Sequence, residues 1–456
     1  MSVRAVLFEH AEGRDLTRLA EYEEVGGYES LRKALRMEPA HVIEELLEAG
    51  VRGRGGAGFP MGRKASFLPK PDQTTKPIYL AVNADESEPG TCKDREIMQR
   101  LPHMVLEGVL IASYAIQASA AFIYIRGEYL TEFEIMKAAL DEAQGRGLAG
   151  GNILGSGYSV SIVLHRGAGA YICGEETGLL ESLEGKRGQP RSKPPFPAIS
   201  GLYAAPTLIN NVETLATVPR ILELGGARYA ELGVENSTGT RLFSLSGNVA
   251  RPGNYELELG TSLRELIFEL GGGVPGGREL KAIIPGGSSV PVLTADEVDT
   301  ALDFDAMAKA GSMLGSGAVI AIDDRCCMVQ LGLRVAQFYM HESCGKCTPC
   351  REGVRWMVDI LERIEEGRAE QGELDLLLSV CDRVLGKCLC PLGDAAAMPV
   401  ASYVAKFREE FQRHIDDGAC PFEGEASFEG LVAPVSQHVH GVLHQIDIPV
   451  FDARVA

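Results

Sequence analysis

Three cysteines recur at three-residue intervals in Ser343-Cys344-Gly345-Lys346-Cys347-Thr348-Pro349-Cys350-Arg351. A cubane iron-sulfur cluster presents several iron corners close together, so a tight loop must aim successive thiolates at different corners. The C-x-x-C-x-x-C spacing can direct its three thiolates in this way. Gly345 allows backbone angles that other residues rarely adopt, and Pro349 restricts the backbone of the loop. The stretch therefore predicts a loop that binds a cluster and organises the chain around it.

The fourth cluster ligand has to come from elsewhere, because three thiolates are one short of the usual four. Cys390 is followed by proline, as cluster cysteines often are, and is the predicted ligand. Cys388 competes for the same role. Structural zinc also takes four cysteines, but zinc sites usually pair two C-x-x-C knuckles instead of placing three cysteines on one loop. The spacing therefore favours a cluster over zinc.

Apolar residues at helical spacing surround this loop and predict a helical bundle over residues 326–420 that carries the cluster. The three predicted apolar stripes consist of Val354, Met357, Val358 and Leu361, then Leu374, Leu377, Leu378 and Cys381, then Val400, Val404, Phe407 and Phe411. We expect Cys326, Cys327 and Cys381 to be core residues. Residues 421–456 lack clear periodicity and form a C-terminal extension, expected to wrap a neighbour or to be disordered.

Residues 241–325 contain short strand-like segments separated by turns, which is typical of a small β domain. Two strands flank a turn at Pro252-Gly253, a helix follows over 262–270, and a further strand covers 281–284. This order predicts a β-grasp, ubiquitin-like domain of the kind that binds soluble ligands. It contains no reactive group, so a spacer or docking role is expected.

Residues 1–240 contain a lead-in and then strand-to-loop passages that predict a Rossmann-like α/β domain. Gly53, Gly55 and Gly58 satisfy G-x-G-x-x-G, but this loop follows a helix instead of a strand, so the ordinary dinucleotide interpretation fails. A glycine-dense loop that carries Arg54 and Lys64 still suits phosphate binding. The alternative is a flexible surface loop.

Two predicted strands end in polar loops, which is where open α/β sheets bind ligands. The first runs into Asn83-Ala84-Asp85-Glu86-Ser87-Glu88-Pro89-Gly90, whose amide and carboxylates suit the hydroxyls of a ribityl or ribose chain. The second, over 158–165, runs into a loop and a helix that opens with Glu175 and Glu176. Carboxylates at a helix N-terminus repel phosphate, so these two are expected to face a nicotinamide or flavin ring.

Composition narrows the class of protein further. With 456 residues and a net charge of −19, the chain can form several domains but is not suited to nucleic acid or anionic lipid. Its 11 cysteines cluster at metal-ligand spacing with no signal peptide visible, which predicts a reducing bacterial cytoplasm. The apolar segment 104–125 includes Glu107 and ends like a strand, so we expect a buried helix and strand and no direct membrane insertion.

Four motifs in this order closely resemble the NADH-binding flavoprotein subunit family of respiratory complex I, NADH-quinone oxidoreductase. They are Gly53-Arg-Gly-Gly-Ala-Gly-Phe-Pro60, Asn83-Ala-Asp-Glu-Ser-Glu-Pro-Gly90, Gly167-Ala-Gly-Ala-Tyr-Ile-Cys-Gly-Glu-Glu-Thr177 and Glu342-Ser-Cys-Gly-Lys-Cys-Thr-Pro-Cys-Arg-Glu-Gly353. The resemblance covers about residues 25–420. It implies a noncovalent FMN, one [4Fe-4S] cluster and NADH as the substrate.

The resemblance also implies site residues. The FMN is expected among Gly53, Arg54, Gly55, Gly56, Lys64, Asn83, Asp85, Glu86, Tyr171, Gly174, Glu175, Glu176, Asn210, Asn211 and Thr214. NADH is expected to stack its adenine among Phe59, Phe67 and Phe196 and to place its nicotinamide half near Glu88 and Glu176. The cluster ligands would be Cys344, Cys347, Cys350 and Cys390. No catalytic side chain is expected, since the cofactors carry the chemistry.

The expected partners are a thioredoxin-like [2Fe-2S] subunit and the large iron-sulfur subunit of complex I. The expected place is the cytoplasmic peripheral arm, at the inner face of the bacterial plasma membrane. Two alternatives stay open: a diaphorase subunit of an NAD-reducing hydrogenase or formate dehydrogenase, which resembles these motifs as well, and a zinc-stabilised scaffold that binds a nucleotide without chemistry.

Overall fold

The computed structural model describes residues 5–422, which form a mixed α/β protein. The N-terminal part begins with the helices α1 Leu19–Glu24, α2 Glu29–Ala34, α3 Pro39–Glu48 and α4 Met61–Ser66. It continues through β1 Tyr79–Ala84, α5 Lys93–Arg100, α6 Pro102–Ala115, β2 Ala120–Ile125, α7 Leu130–Gly145, β3 Ser161–Arg166 and α8 Glu176–Leu183. It ends with α9 Pro197–Ser200, β4 Thr207–Asn211, α10 Val212–Ala216, α11 Val218–Leu224, α12 Gly226–Tyr229 and the short pair β5 Gly233–Val234 and β6 Ser237–Thr238.

A four-stranded parallel sheet in the order β3-β2-β1-β4 organises this part of the chain. Because the strands are parallel, the carboxyl ends of β1, β3 and β4 lie at one edge, and Asn83 on β1 is in register with Asn211 on β4. Helix α6 packs beneath the sheet as a buried element. The prediction of a buried helix followed by a strand over 104–125 is therefore confirmed.

Glu107 shows how the buried helix α6 accommodates a carboxylate. Its two oxygens accept hydrogen bonds from the Tyr22 hydroxyl at 2.6 Å and from the backbone N–H groups of Tyr28 and Leu31, each at 2.9 Å. A buried acidic group is tolerated only with such partners. Glu107 thus fixes the N-terminal helices against the sheet domain.

The second part of the chain is a five-stranded sheet in the order β10-β9-β11-β7-β8. Its elements are β7 Thr240–Gly247, β8 Gly253–Glu258, β9 Leu280–Ile284, β10 Leu293–Thr294, α13 Phe304–Lys309 and β11 Ala318–Asp323. Strands β7 and β8 form the predicted antiparallel hairpin, and the central strands β7 and β11 are parallel. The predicted helix over 262–270 is a π-helix over Glu265–Leu270.

The third part is helical: α14 Met328–Glu342, α15 Thr348–Glu365, α16 Glu373–Val384, α17 Leu392–Lys406 and α18 Arg408–Asp417. The first two predicted stripes lie on α15 and α16, and their residues are buried except Leu378, which is half-buried. The third stripe was predicted as one helix, and this is wrong. Phe407, at φ −124° and ψ 31°, leaves the helical conformation and separates α17 from α18, although Val400 and Phe411 are both buried.

None of the helices in residues 5–422 combines the length and the apolar composition of a membrane-spanning helix. Of the predicted C-terminal extension, residues 423–456 lie outside the described part of the chain.

Candidate functional site

The glycine-rich loop at 53–58 lies against the amino end of α10. The Arg54 N–H donates to the Thr214 hydroxyl at 2.9 Å, and a Cβ at Gly55 would lie only 3.1 Å from the Cβ of Asn211. Gly58 has φ +65°, a conformation that side chains other than glycine rarely adopt. The loop therefore depends on its glycines to approach the end of β4 closely.

The Arg54 side chain binds backbone carbonyls around the start of β7. Its guanidinium is buried and donates to the backbone carbonyls of Thr238 and Thr240, each at 2.9 Å. Arg241, also buried, donates to the Arg54 carbonyl at 3.0 Å. The structure thus brings the Arg54 backbone to the site, while its cation joins the sheet domain to the second part of the chain.

The loop after β1 contacts the loop after β3. Asn83 donates from Nδ2 to the Gly174 carbonyl at 2.8 Å, and its Oδ1 accepts from the Asp85 N–H at 3.1 Å. Burial raises the pKa of Asp85 to about 7, although a 2.5 Å hydrogen bond from Ser87 lowers it. The Glu86 carboxylate caps α5 by accepting from the N–H groups of Asp94 and Arg95.

Glu175 and Glu176 begin α8 as predicted, and two lysines lie against them. Glu175 is the N-cap and accepts from the Thr177 and Gly178 N–H groups. Lys64 lies 3.0 Å from one Glu176 oxygen, and Lys193 lies 2.8 Å from the other. Burial by itself raises the pKa of Glu176, but the two ammonium groups outweigh burial and hold it at about 2. Sequence reasoning missed Lys193.

The last residues of strand β4 include a buried hydrogen-bond donor that has no partner in the described part of the chain. The Asn210 Nδ2 is buried and has no hydrogen-bond partner among residues 5–422. A buried donor without a partner is costly, so a bound group that accepts this hydrogen bond would be favoured. Asn211 caps α10 and donates from Nδ2 to Asp94 at 2.6 Å, which holds it beside the glycine-rich loop.

Three predicted aromatic side chains are exposed near these loops. Phe59, Phe67 and Phe196 have 44%, 53% and 58% of their surface accessible, and the rings of Phe59 and Phe67 have centroids 6.1 Å apart. Phe196 lies on the loop that Lys193 fastens to Glu176. Exposed rings at the mouth of a polar site suit stacking with a planar ligand.

Glu88 joins the loop after β1 to all three parts of the chain. One oxygen accepts from the Tyr171 hydroxyl at 2.7 Å, and the other accepts from the Ser289 N–H at 2.8 Å and from the Tyr339 hydroxyl at 3.4 Å. Tyr171 also stacks edge-on against Phe338 of α14. These contacts fix the loop against the helices that precede the cysteine loop.

The cysteine loop runs from the end of α14 into the first turn of α15, with Cys347 as the N-cap residue. The Cys347 Sγ accepts from the Leu389 N–H at 3.2 Å, so the segment before α17 approaches the loop as predicted. Cys388 instead points its thiol toward the Val384 carbonyl at 3.8 Å. A Cβ at Gly393 would lie 2.6 Å from this Cys388 sulfur, so Cys388 packs against the first turn of α17.

The spacing of the four predicted ligand thiols bears on the zinc alternative. Within residues 5–422 they do not form a group whose ligand atoms all lie within 4.8 Å of one another. A single tetrahedral zinc ion, with Zn–S bonds of about 2.3 Å, needs its thiolates about 3.8 Å apart. The set therefore fits a larger, multi-iron group better than one zinc ion.

Three hydrogen bonds connect the cysteine loop region to the sheet domain. Gln189 donates from Nε2 to the Cys344 carbonyl at 3.1 Å, and Lys346 donates from Nζ to the Pro190 carbonyl at 2.7 Å. The Tyr171 N–H donates to Glu342 at 3.1 Å. The polar loops and the cysteine loop are thus in direct contact. Sequence reasoning included Glu342 only as the first residue of the fourth motif and did not identify Gln189.

Three family models match the chain. The Nuo51 FMN-binding domain matches residues 46–220, the SLBB domain matches 241–321, and the NADH-ubiquinone oxidoreductase-F iron-sulfur binding region matches 330–414.

Curated relatives match almost the whole chain. One relative is the second F-type subunit of NADH-quinone oxidoreductase from Rhizobium meliloti (strain 1021), which is 53% identical over 418 residues. The match covers 91% of this chain and 99% of that protein. The corresponding F-type subunit of Rickettsia felis is 50% identical, over 90% of this chain and 97% of that protein. Among solved structures, an NAD+-reducing [NiFe]-hydrogenase in the air-oxidised state matches with a TM-score of 0.78 and 33% identity, over 91% of this chain and 67% of that one.

Proposed function

We infer the function of this chain from its family, because the chain belongs to the F-type subunits of NADH-quinone oxidoreductase. It is an oxidoreductase subunit that takes electrons from NADH, and it carries FMN and a [4Fe-4S] cluster. The observation that supports this most strongly is that the polar loops of the FMN-binding region and the cysteine loop meet through direct hydrogen bonds.

The FMN would lie at the carboxyl edge of the parallel sheet. The unpartnered Asn210 Nδ2 supports this assignment, as does the close approach of the glycine-rich loop to Asn211. The proposed contacts are Gly53, Gly55, Gly56 and the Arg54 backbone, Lys64, Asn83, Asp85, Tyr171, Gly174, Glu175, Glu176, Asn210, Asn211 and Thr214. Glu86 is proposed to line the same edge, where its carboxylate also caps α5.

NADH would enter over the exposed rings of Phe59, Phe67 and Phe196, which suit stacking with its adenine. Glu88 and Glu176 would then face the nicotinamide half. Lys64 and Lys193 keep Glu176 ionised and fixed in position, so it can accept hydrogen bonds without moving.

When bound, FMN and the cluster supply the chemistry: the flavin accepts a hydride from NADH and the cluster accepts electrons one at a time. The residues of this chain orient the substrate ring and exclude water at the sheet edge. The site needs no general acid or base, since a hydride transfer from NADH releases no proton to a side chain.

Cys344, Cys347, Cys350 and Cys390 would hold the cluster. The contact of Cys388 with Val384 and with the first turn of α17 supports Cys390 as the fourth ligand. Gln189 and Lys346 would keep the cluster at a fixed distance from the flavin.

The domain limits would be 1–240 for a Rossmann-like FMN and NADH domain, 241–325 for a β-grasp domain, 326–420 for the cluster-binding bundle and 421–456 for the extension. The sheet order β8-β7-β11-β9-β10, with its parallel central pair, supports the β-grasp description.

The chain is one subunit of a multi-subunit NADH-quinone oxidoreductase. Its proposed partners are a thioredoxin-like [2Fe-2S] subunit and the large iron-sulfur subunit, on the peripheral arm at the inner face of the bacterial plasma membrane. Exposed apolar side chains on the helical bundle, Met340, Trp356 and Leu376, offer a surface for such a partner.

A second candidate is the diaphorase role in an NAD-reducing hydrogenase, favoured by the match to that structure at a TM-score of 0.78. Purification of the native assembly, with identification of the accompanying chains, separates the two roles. Quinone-reductase subunits support the first role, and hydrogenase subunits support the second.

The cluster assignment is tested by EPR of the full-length chain after reduction. We expect Cys390→Ser to abolish the cluster signal and the matched variant Cys388→Ser to retain it. The reverse result would move the fourth ligand to Cys388. NADH should bleach the visible spectrum of the wild-type chain, and a flavin-free preparation that still reduced ferricyanide with NADH would contradict the proposed role of FMN.

A further inference from the structure

We propose that this chain has a second metal site, for a single zinc ion, at the opposite end of the helical bundle from the cysteine loop. Cys327, Glu365, His414 and Cys420 each offer one ligand atom, and these four atoms all lie within 4.8 Å of one another. It is the one group of this kind found in residues 5–422. The inference does not depend on the proposed function, because none of these residues has a role in it.

The distances within the group suit one small cation. The Cys327 Sγ lies 3.2 Å from His414 Nε2 and 3.9 Å from Glu365 Oε2, and the last two atoms are 3.6 Å apart. Ligand atoms around a tetrahedral zinc ion are separated by about 3.3–3.8 Å, given Zn–N bonds near 2.0 Å and Zn–S bonds near 2.3 Å. These three atoms are therefore already close to the spacing that zinc requires, and the Cys420 thiol lies within 4.8 Å of each of them.

The outer contacts orient these ligands. His414 Nδ1 lies 2.8 Å from the Glu410 carbonyl, so it donates there and leaves the Nε2 lone pair facing the group. Gln330 donates from Nε2 to the other Glu365 oxygen at 2.7 Å and from its backbone N–H to the Cys327 sulfur at 3.4 Å. Such supporting hydrogen bonds are typical of metal ligands.

Burial and ligand chemistry together favour a closed structural site. Cys327, His414 and Cys420 are buried, and the Glu365 carboxylate is largely so. Two thiolates, one imidazole and one carboxylate form a four-ligand set that zinc accepts, with no position left for water or substrate. Simple core packing accounts for the two cysteines, but not for a carboxylate and an imidazole converging on the same thiol.

The position in the fold indicates what the ion would do. Cys327 precedes α14 and Glu365 ends α15, so both lie at the end of this antiparallel pair that is remote from Cys344. The 15 residues of α14 separate the two ends by about 22 Å, at 1.5 Å per residue. His414 and Cys420 come from the last turn of α18 and beyond, so the ion would fasten the end of the bundle onto α14 and α15.

The test is the zinc content of the full-length chain, measured by elemental analysis together with iron. We expect about one zinc per chain in the wild type and loss of most of it in Cys327→Ser. The matched control is Cys326→Ser. Cys326 is the adjacent buried cysteine, but its thiol faces Asn248 and Asp323 at 3.5 and 3.7 Å, so this variant should keep its zinc. Iron content should be unchanged in both variants.

Cobalt(II) gives a second measurement that does not depend on a variant folding. The wild-type chain, stripped of zinc and loaded with Co2+, should show thiolate-to-cobalt charge-transfer bands and tetrahedral visible bands. A wild-type chain that contains no zinc and takes up no Co2+ with these bands would overturn the proposal. Equal zinc contents in the wild type and in folded Cys327→Ser, or equal loss in both cysteine variants, would also overturn it.

Discussion

Replacement of Lys93 by methionine should strongly destabilise the sheet domain. Lys93 begins α5 with only 1% of its side chain exposed, and its ammonium lies 2.7 Å from Asp94 Oδ1 and 2.9 Å from Glu213 Oε2. Burial alone would lower the pKa of Lys93, but Asp94, Glu213 and Glu86 outweigh burial and raise it. The lysine therefore stays charged at neutral pH and is the cation shared by two buried carboxylates.

The expected loss follows from what the methionine leaves behind. Removing one partner of a buried ion pair costs about 3–5 kcal/mol, because the remaining charge is buried without compensation. Each carboxylate keeps one further partner: Asp94 accepts from Asn211 of the candidate site at 2.6 Å, and Glu213 accepts from the Leu242 N–H of β7 at 2.8 Å. We expect a loss of about 3 kcal/mol or more, together with weaker flavin retention.

The assay is urea unfolding of the flavin-loaded, full-length chain at pH 6 and pH 8. Because the pKa of Lys93 is raised on folding, its contribution to the free energy of unfolding is complete below the pKa of lysine in the unfolded chain, about 10.4. This contribution is therefore the same at pH 6 and at pH 8. The variant should be less stable than the wild type at both pH values, because the ion partner of two buried carboxylates is missing at each. The control is Lys186→Met, because Lys186 is 58% exposed and should leave the midpoint unchanged. A Lys93→Met variant within about 1 kcal/mol of the wild type would refute the reasoning.

Three further outcomes are expected. Burial raises the pKa of Asp85 to about 7, so its protonated form stabilises the fold. This contribution to the free energy of unfolding is complete below about pH 4, the pKa in the unfolded chain, and is lost as the pH rises through 7. Asp85→Asn should therefore reduce the difference between the urea midpoints at pH 5 and pH 8.5. Phe59→Ala should raise the KM for NADH by up to about tenfold with little change in kcat, whereas Phe268→Ala on the second domain should not. Asn210→Ala should weaken FMN binding about fivefold by equilibrium dialysis, and unchanged binding would remove Asn210 from the site.

Local sequence signals predicted those parts of the protein that depend on neighbouring residues. The spacing of Cys344, Cys347 and Cys350 defined the cysteine loop, and Pro252-Gly253 defined the β7-β8 hairpin. The residues between positions 104 and 125 predicted the buried helix and strand, since their apolar pattern is continuous. In each case the deciding interactions lie within a few turns of the chain.

Long-range partners could not be predicted in the same way. A cation beside glycines suggested phosphate binding for Arg54, but its guanidinium donates to carbonyls more than 180 residues away. Cys326 and Cys327 are indistinguishable in sequence, yet only Cys327 faces His414. Phe407 continues an apolar stripe, so nothing in the periodicity indicated that the helix would end there.

The contacts of the cysteine loop with the sheet domain also have a consequence for biosynthesis. Gln189 and Cys344 are 155 residues apart in the chain, and Tyr171 and Glu342 are 171 apart. Domains near the N-terminus fold first during synthesis, and contacts between distant segments form late because their loops are long. A nascent chain would thus form its parallel sheet before the helices on either side of the cysteine loop have been synthesised. The loop after β1 would then reach its final position only once Tyr339 has left the ribosome and its hydroxyl can donate to Glu88.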